Sequence, residues 1–203
     1  MSVDNVSSDR IDEGGETLDS VHRRPQLSVL RTLSISEDVS EILEFLFLGA
    51  KAVSEDYECL NGLGISCVVN CTTDCRNMFE EQGLQYFLVN VKDDINAEIF
   101  PFLGPAADFI ENARQSNRKA LVHCNMGMSR SSSIVLAYLM QHQRMCLAKA
   151  LQLTKERRAM VSPNSGFMKQ LLDFERSLFG TCSIDLELYK KERFGDVESF
   201  TLQ

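Results

Sequence analysis

The chain has 203 residues, 44% of them apolar, and a formal net charge of −8, which suits one folded domain with tails and a substantial core. No apolar run reaches the ~20 residues of a membrane-spanning helix, the N-terminus lacks the basic-then-apolar pattern of a secretory leader, and no basic stripe is present to attract nucleic acid or an anionic membrane. A cytoplasmic or nuclear protein is expected, with its seven cysteines reduced rather than paired.

Residues 1–38 are rich in Ser, Asp, Glu and Gly, carry eight acids against four bases, and read as a disordered tail. One island stands out, RRPQLSV, where Arg23 and Arg24 precede Leu27 and Val29. From Val39 the pattern changes. FLFLG (45–49) predicts a short strand, and residues 52–64 a short helix N-capped by Ser54 and ended by glycine. SCVVNC (66–71), QYFLVNV (85–91) and ALVHC (120–124) are too short for helices and rich in β-branched or aromatic residues, as buried strands are. Residues 99–114 place Phe102, Leu103, Ala106, Phe109, Ile110 and Ala113 on one helical face, with Pro105 expected to break or tighten the first turn. Residues 130–143 are apolar nearly all round, which predicts a central buried helix. Residues 146–159 are amphipathic. Pro163-Asn164-Ser165 opens a last helix that Gly180 ends, and residues 181–203 read as a C-terminal tail. The alternation predicts an α/β fold over 39–180, a central, mainly parallel sheet of about five strands flanked by helices.

Between the strand ending at Cys124 and the helix starting at Arg130 lies the loop Asn125-Met126-Gly127-Met128-Ser129. Ligands of parallel sheets bind at such strand ends. Successive N–H groups of a turn at a helix N-terminus converge on an anion, Gly127 supplies the backbone freedom a tight loop needs, and Arg130 offers a planar fork for two phosphate oxygens. The same donors favour a thiolate, so the Cys124 pKa should fall well below ~8.5. A thiolate beneath a bound phosphate is placed for in-line attack, giving a phosphocysteine, and Ser131 can donate to the sulfur as it leaves. The leaving oxygen needs a proton, and Asp93 or Asp94, just past the strand 85–91, can supply it. His123 reads as a buried, hydrogen-bonded support rather than a base.

VHCNMGMSRS resembles the His-Cys-x5-Arg-Ser/Thr signature of the protein tyrosine phosphatase superfamily, and its HCxxGxSRS form resembles the dual-specificity protein phosphatases. The likeness extends to EILEFLFLGAKAVS, GISCVVNCT, AYLM and RAMVSPNSGFMKQLLDFE, covering about residues 39–180. It implies the protein tyrosine phosphatase fold, Cys124 as nucleophile, Arg130 as phosphate clamp, Asp93 as general acid with Asp94 the alternative, Asn164 as a support of the loop, and no cofactor or metal. The short stretch before the domain implies a small, atypical member. Gly104-Pro105 departs from the family's continuous helix and is expected to alter the setting of the acid loop.

The domain leaves little room for the long loops of a deep phosphotyrosine slot, so the cradle should accept phosphoserine and phosphothreonine as well as phosphotyrosine. Asn125, Met126 and Met128 are neutral, which disfavours phosphoinositides. A phosphoprotein-binding module with weak catalysis, and a phosphatase for a non-protein phosphate, are the alternatives. RRPQLSV resembles a kinase-docking motif through which Arg23, Arg24, Leu27 and Val29 would engage a MAP kinase; a chance pattern is the alternative. Ser28, Ser34 and Ser36 are candidate phosphorylation sites. Cys71 is either a buried cysteine or a partner for oxidised Cys124. Cys71 and Cys75 lack two further ligands for zinc, and Arg157 and Arg158 read as a solvated helix face, with a place bordering the site as the alternative.

Overall fold

The computed structural model describes residues 38–194. Five strands form one sheet: β1 (Val39–Leu43), β2 (Leu46–Ala50), β3 (Ile65–Asn70), β4 (Gln85–Leu88) and β5 (Lys119–Cys124), in the order β1-β2-β5-β3-β4. Only β1 runs antiparallel to its neighbour. β5 is central, so the strand that delivers Cys124 is held on both edges. Alternate residues face opposite sides. Ala120, Val122 and Cys124 join Leu46, Leu48, Cys67 and Val69 in the larger core, while Leu121 packs with Phe47, Val68 and Leu60 on the other face.

The helices are α1 (Lys51–Ser54), α2 (Tyr57–Leu63), α3 (Phe100–Gln115), α4 (Arg130–Gln141), α5 (Leu147–Arg157), α6 (Ser165–Phe179) and α7 (Leu186–Phe194). Residues Arg130 through Met140 of α4 are all buried, as its all-round apolar pattern predicts. Among the described residues no helix is long and apolar enough to cross a membrane.

Several expectations need correction. The helix expected over 52–64 is two helices, and Ser54 caps neither start. Its hydroxyl donates back to the Lys51 carbonyl at 2.8 Å, while Asp56, in extended conformation, accepts from the Cys59 N–H and caps α2. The strand expected to reach Val91 ends at Leu88. β1 was not foreseen, because only Ile42 within it is buried. α3 runs unbroken through Gly104-Pro105. Pro105 forgoes its bond to the Pro101 carbonyl, but both prolines lie exposed, where water can satisfy that oxygen. The packed body continues past Gly180: Tyr189 of α7 is buried, and its hydroxyl donates to the Pro163 carbonyl at 2.7 Å. The proposed docking residues Arg23, Arg24, Leu27 and Val29, and Ser28, Ser34 and Ser36, lie outside the described residues.

Candidate active site

Cys124 ends β5 with 1% of its surface exposed, and α4 begins six residues later at Arg130. The loop between them is held from outside by its carbonyls. Asn125 O accepts from the Lys51 N–H at 3.2 Å, and Met128 O from the Ser162 N–H at 2.9 Å. Arg158 donates Nη2 to Met126 O and Nε to Gly127 O, each at 3.0 Å. In a trans peptide the C=O and the following N–H point in opposite directions. Four consecutive carbonyls turned outward therefore turn the N–H groups of Met126, Gly127, Met128 and Ser129 inward. The Ser132 and Ser133 hydroxyls, both donating to Ser129 O at 2.8 Å, tie the loop to the first turn of α4.

Gly127 has φ 68°, and a Cβ there would lie 2.7 Å from the Gly49 carbonyl oxygen. Any larger residue would strain the backbone and push the loop off β2.

The Cys124 sulfur sits inside this ring. Burial pushes its pKa up. The Ser131 hydroxyl, which donates to Sγ at 3.1 Å, and the N–H groups of Ser131, Met128 and Met126 outweigh burial, so the net pKa lies below the ordinary thiol value. Arg130, 6% exposed, donates Nη1 to Val91 O at 3.4 Å, and its Nε lies 3.7 Å from Asp93 Oδ2.

The two aspartates part company. Asp93 Oδ1 accepts from Ser129 Oγ at 2.8 Å and from Asn164 Nδ2 at 2.9 Å, so it is anchored beside the loop with Oδ2 toward Arg130. Asp94 Oδ1 accepts from the Asn96 N–H of its own turn at 2.8 Å. Asn164 joins three parts: besides Asp93, its N–H donates to Ser129 Oγ at 3.0 Å, and its Oδ1 caps α6 by accepting from the Phe167 N–H at 2.9 Å.

His123 is buried as expected, but neither ring nitrogen has a hydrogen-bond partner among the described residues. Burial, with the Arg130 and Lys51 charges opposing a raising contribution from the Cys124 main chain, lowers its pKa to about 4. The ring is neutral near pH 7 and carries no charge into the site. Cys71 follows β3, its N–H donating to the His123 carbonyl at 2.8 Å, which extends the ladder and sets it opposite Cys124. Burial raises its thiol pKa well above the ordinary value, and the neighbouring Cys124 raises it further. Among the described residues no group of three His, Cys, Asp or Glu side chains is arranged to hold a metal ion.

For Arg158 the structure bears out a place bordering the site rather than the solvated face. It is 5% exposed, because α5 stops at Arg157 and Arg158 turns extended, with φ −144° and ψ 96°. Helical periodicity carried one residue too far put it on the solvated face.

The chain matches the family described as the dual specificity phosphatase catalytic domain over residues 46–177. It is 40% identical to dual specificity protein phosphatase 4 of Gallus gallus over 146 residues, which is 71% of this chain and 39% of that protein. Dual specificity protein phosphatase 1 of Homo sapiens is 39% identical over 146 residues, 71% of this chain and 40% of that protein. The chain thus spans about 40% of the length of the curated relatives it matches. Among solved structures, human DUSP28 superposes with a TM-score of 0.65 at 31% identity, over 70% of this chain and 95% of that one. The human tyrosine phosphatase-like serine/threonine/tyrosine-interacting protein gives 0.65 at 30% identity, over 70% and 97%.

Proposed function

The chain belongs to the dual specificity phosphatase family, and from that premise we propose that it hydrolyses phosphotyrosine and phosphoserine or phosphothreonine in proteins through a phosphocysteine intermediate. The Cys124 thiolate attacks phosphorus in line while the bond from phosphorus to the substrate oxygen breaks. The N–H groups of residues 126–129 and the Arg130 fork hold the three non-bridging oxygens. Asp93 gives its proton to the departing oxygen, then as carboxylate takes one from the water that attacks the phosphocysteine. Ser131 donates to the sulfur as the S–P bond breaks and the thiolate returns. One observation carries this reading: the outward carbonyls at Asn125, Met126, Gly127 and Met128 surround a sulfur that accepts from Ser131. Asn164 acts as a support of the loop.

A MAP kinase-pathway substrate, engaged through Arg23, Arg24, Leu27 and Val29, is part of the proposal and rests on that segment's sequence alone; a cytoplasmic or nuclear setting is proposed from the composition of the whole sequence. The test is phosphate release from phosphotyrosine and phosphothreonine peptides beside soluble inositol phosphates. Turnover of both peptides with inositol phosphates at least ~10-fold slower is expected. Preferred inositol phosphates would favour a non-protein substrate, and binding of peptide without vanadate-sensitive release would favour a binding module.

Arg158 supplies a further expected result. Arg158→Met takes the donors from two loop carbonyls without touching the phosphate. It should lower kcat/KM on an aryl phosphate by about 10-fold to 100-fold, less than the loss of a direct oxyanion donor. Steady-state kinetics check this, and a change under twofold would show that the loop holds its shape unaided.

A further inference from the structure

The loop that carries Asp93 has no regular structure of its own between β4 and α3. Beyond the contacts of Asp93 with Ser129 and of Val91 with Arg130, it is held along its length by one helix, α6. Asn164 grips its first end through Asp93. Gly166 accepts its middle: a Cβ there would come within 2.6 Å of the Ile95 carbonyl carbon, so the loop backbone lies directly on the helix. The far end is gripped by Gln170. Its Oε1 accepts from the N–H groups of Ile99 and Phe100, both at 2.8 Å, and its Nε2 donates to Ala97 O at 2.9 Å and to Gly166 O at 3.3 Å.

A glutamine amide has two acceptor sites on oxygen and two protons on nitrogen, and here all four are used. Reversing the amide would set its protons against two N–H donors, so only one orientation fits. Two of the bonds go to N–H groups that helix geometry leaves without intrahelical partners. α3 has no side-chain cap from its own N-cap, Ile99, which is fully buried. Gln170 caps α3 from another helix and, in the same act, fixes where the acid loop must end.

We propose that Gln170 is a positioning residue for proton transfer: it holds the end of the loop so that Asp93 stays beside Ser129 and Arg130. This rests on the reading of Asp93 as the general acid. A misplacement of about 1 Å costs a reacting group up to about 100-fold. The loss should fall on substrates whose leaving oxygen needs the proton, and spare nitrophenyl phosphate, whose leaving group is acidic enough to depart unaided.

The experiment uses the full chain with two aryl phosphates, one with a weakly acidic phenol and one nitro-substituted. Gln170→Leu should lower kcat on the first by about 10-fold or more, and on the second by under ~3-fold. KM and the pH profile of Cys124 alkylation should not move. In an Asp93→Asn background the same substitution should cause no further loss beyond ~2-fold, since it acts through Asp93. Gln170→Glu guards against a misfolded Leu variant. It keeps the two accepted bonds, should fall between wild type and Leu, and should regain activity relative to wild type as pH is lowered and its carboxyl can donate again. Equal losses on both substrates, or the same loss with and without Asp93, would overturn the proposal. Should Asp93→Asn itself leave the dependence on leaving group unchanged, the acid assignment falls, and this role of Gln170 with it.

Discussion

Cys124→Ser is expected to abolish turnover, with a loss on the order of 10⁴-fold or more. On the proposed mechanism the site must hold a sulfur anion. Its Ser131 hydroxyl and its inward N–H groups outweigh the cost of burying charge at a thiol whose ordinary pKa is ~8.5. A serine hydroxyl is a far weaker acid, and donors that shift a thiol below its ordinary value leave an alcohol protonated. The replacement is close to isosteric in a position 1% exposed, so the loop and its anion site persist. The variant should therefore still bind a phosphopeptide while releasing no phosphate, which equilibrium binding and a phosphate-release assay measure on the same sample. Turnover within 100-fold of wild type would contradict covalent catalysis by residue 124.

Asp93→Asn carries the next largest effect. The amide retains an oxygen that accepts from Ser129 and Asn164, so the loop stays anchored while the transferable proton is lost. Turnover of an ester with a weakly acidic phenol should fall by about 10²-fold to 10³-fold. The high-pH fall in rate, which reports loss of the acid's proton, should flatten. Asp94→Asn should cost under ~3-fold, because Asp94 faces the Asn96 N–H of its own turn and an asparagine keeps that bond. Both are read from pH-rate profiles. A larger loss at Asp94 would reverse the assignment.

The legible part of this site is what one short stretch of chain builds by itself. Cys124, Gly127, Arg130 and Ser131 lie on a single strand–loop–helix unit, where spacing alone fixes their neighbours. The family resemblance favoured Asp93 over Asp94 and added Asn164; Asp93 and Asn164 meet at 2.9 Å across 71 residues of chain. What stayed hidden are polar side chains that grip distant backbone. Arg158 reaches Gly127 across 31 residues, and Gln170 reaches Ile99 across 71. Neither has an apolar period to announce it, since each is defined by the carbonyls and N–H groups it meets only after folding. β1 escaped for a related reason: an edge strand with one buried residue has no alternation to read. Asp56 displaced Ser54 as a cap because the chain turns at Glu55, a detail that two cap-forming residues, each one position from it, leave open.

The central claim is that inward N–H groups and Ser131 outweigh burial and favour the ionised form of the Cys124 sulfur. The most direct measurement is the pH dependence of iodoacetate alkylation, followed at the Cys124 peptide by mass spectrometry so that the other six cysteines do not contribute. A depressed pKa means that the rate climbs and reaches its plateau at lower pH than a free thiol would. The midpoint should lie below the free-thiol value of ~8.5, and Ser131→Ala should move it upward. A midpoint at or above the free-thiol value, indifferent to Ser131, would contradict the account.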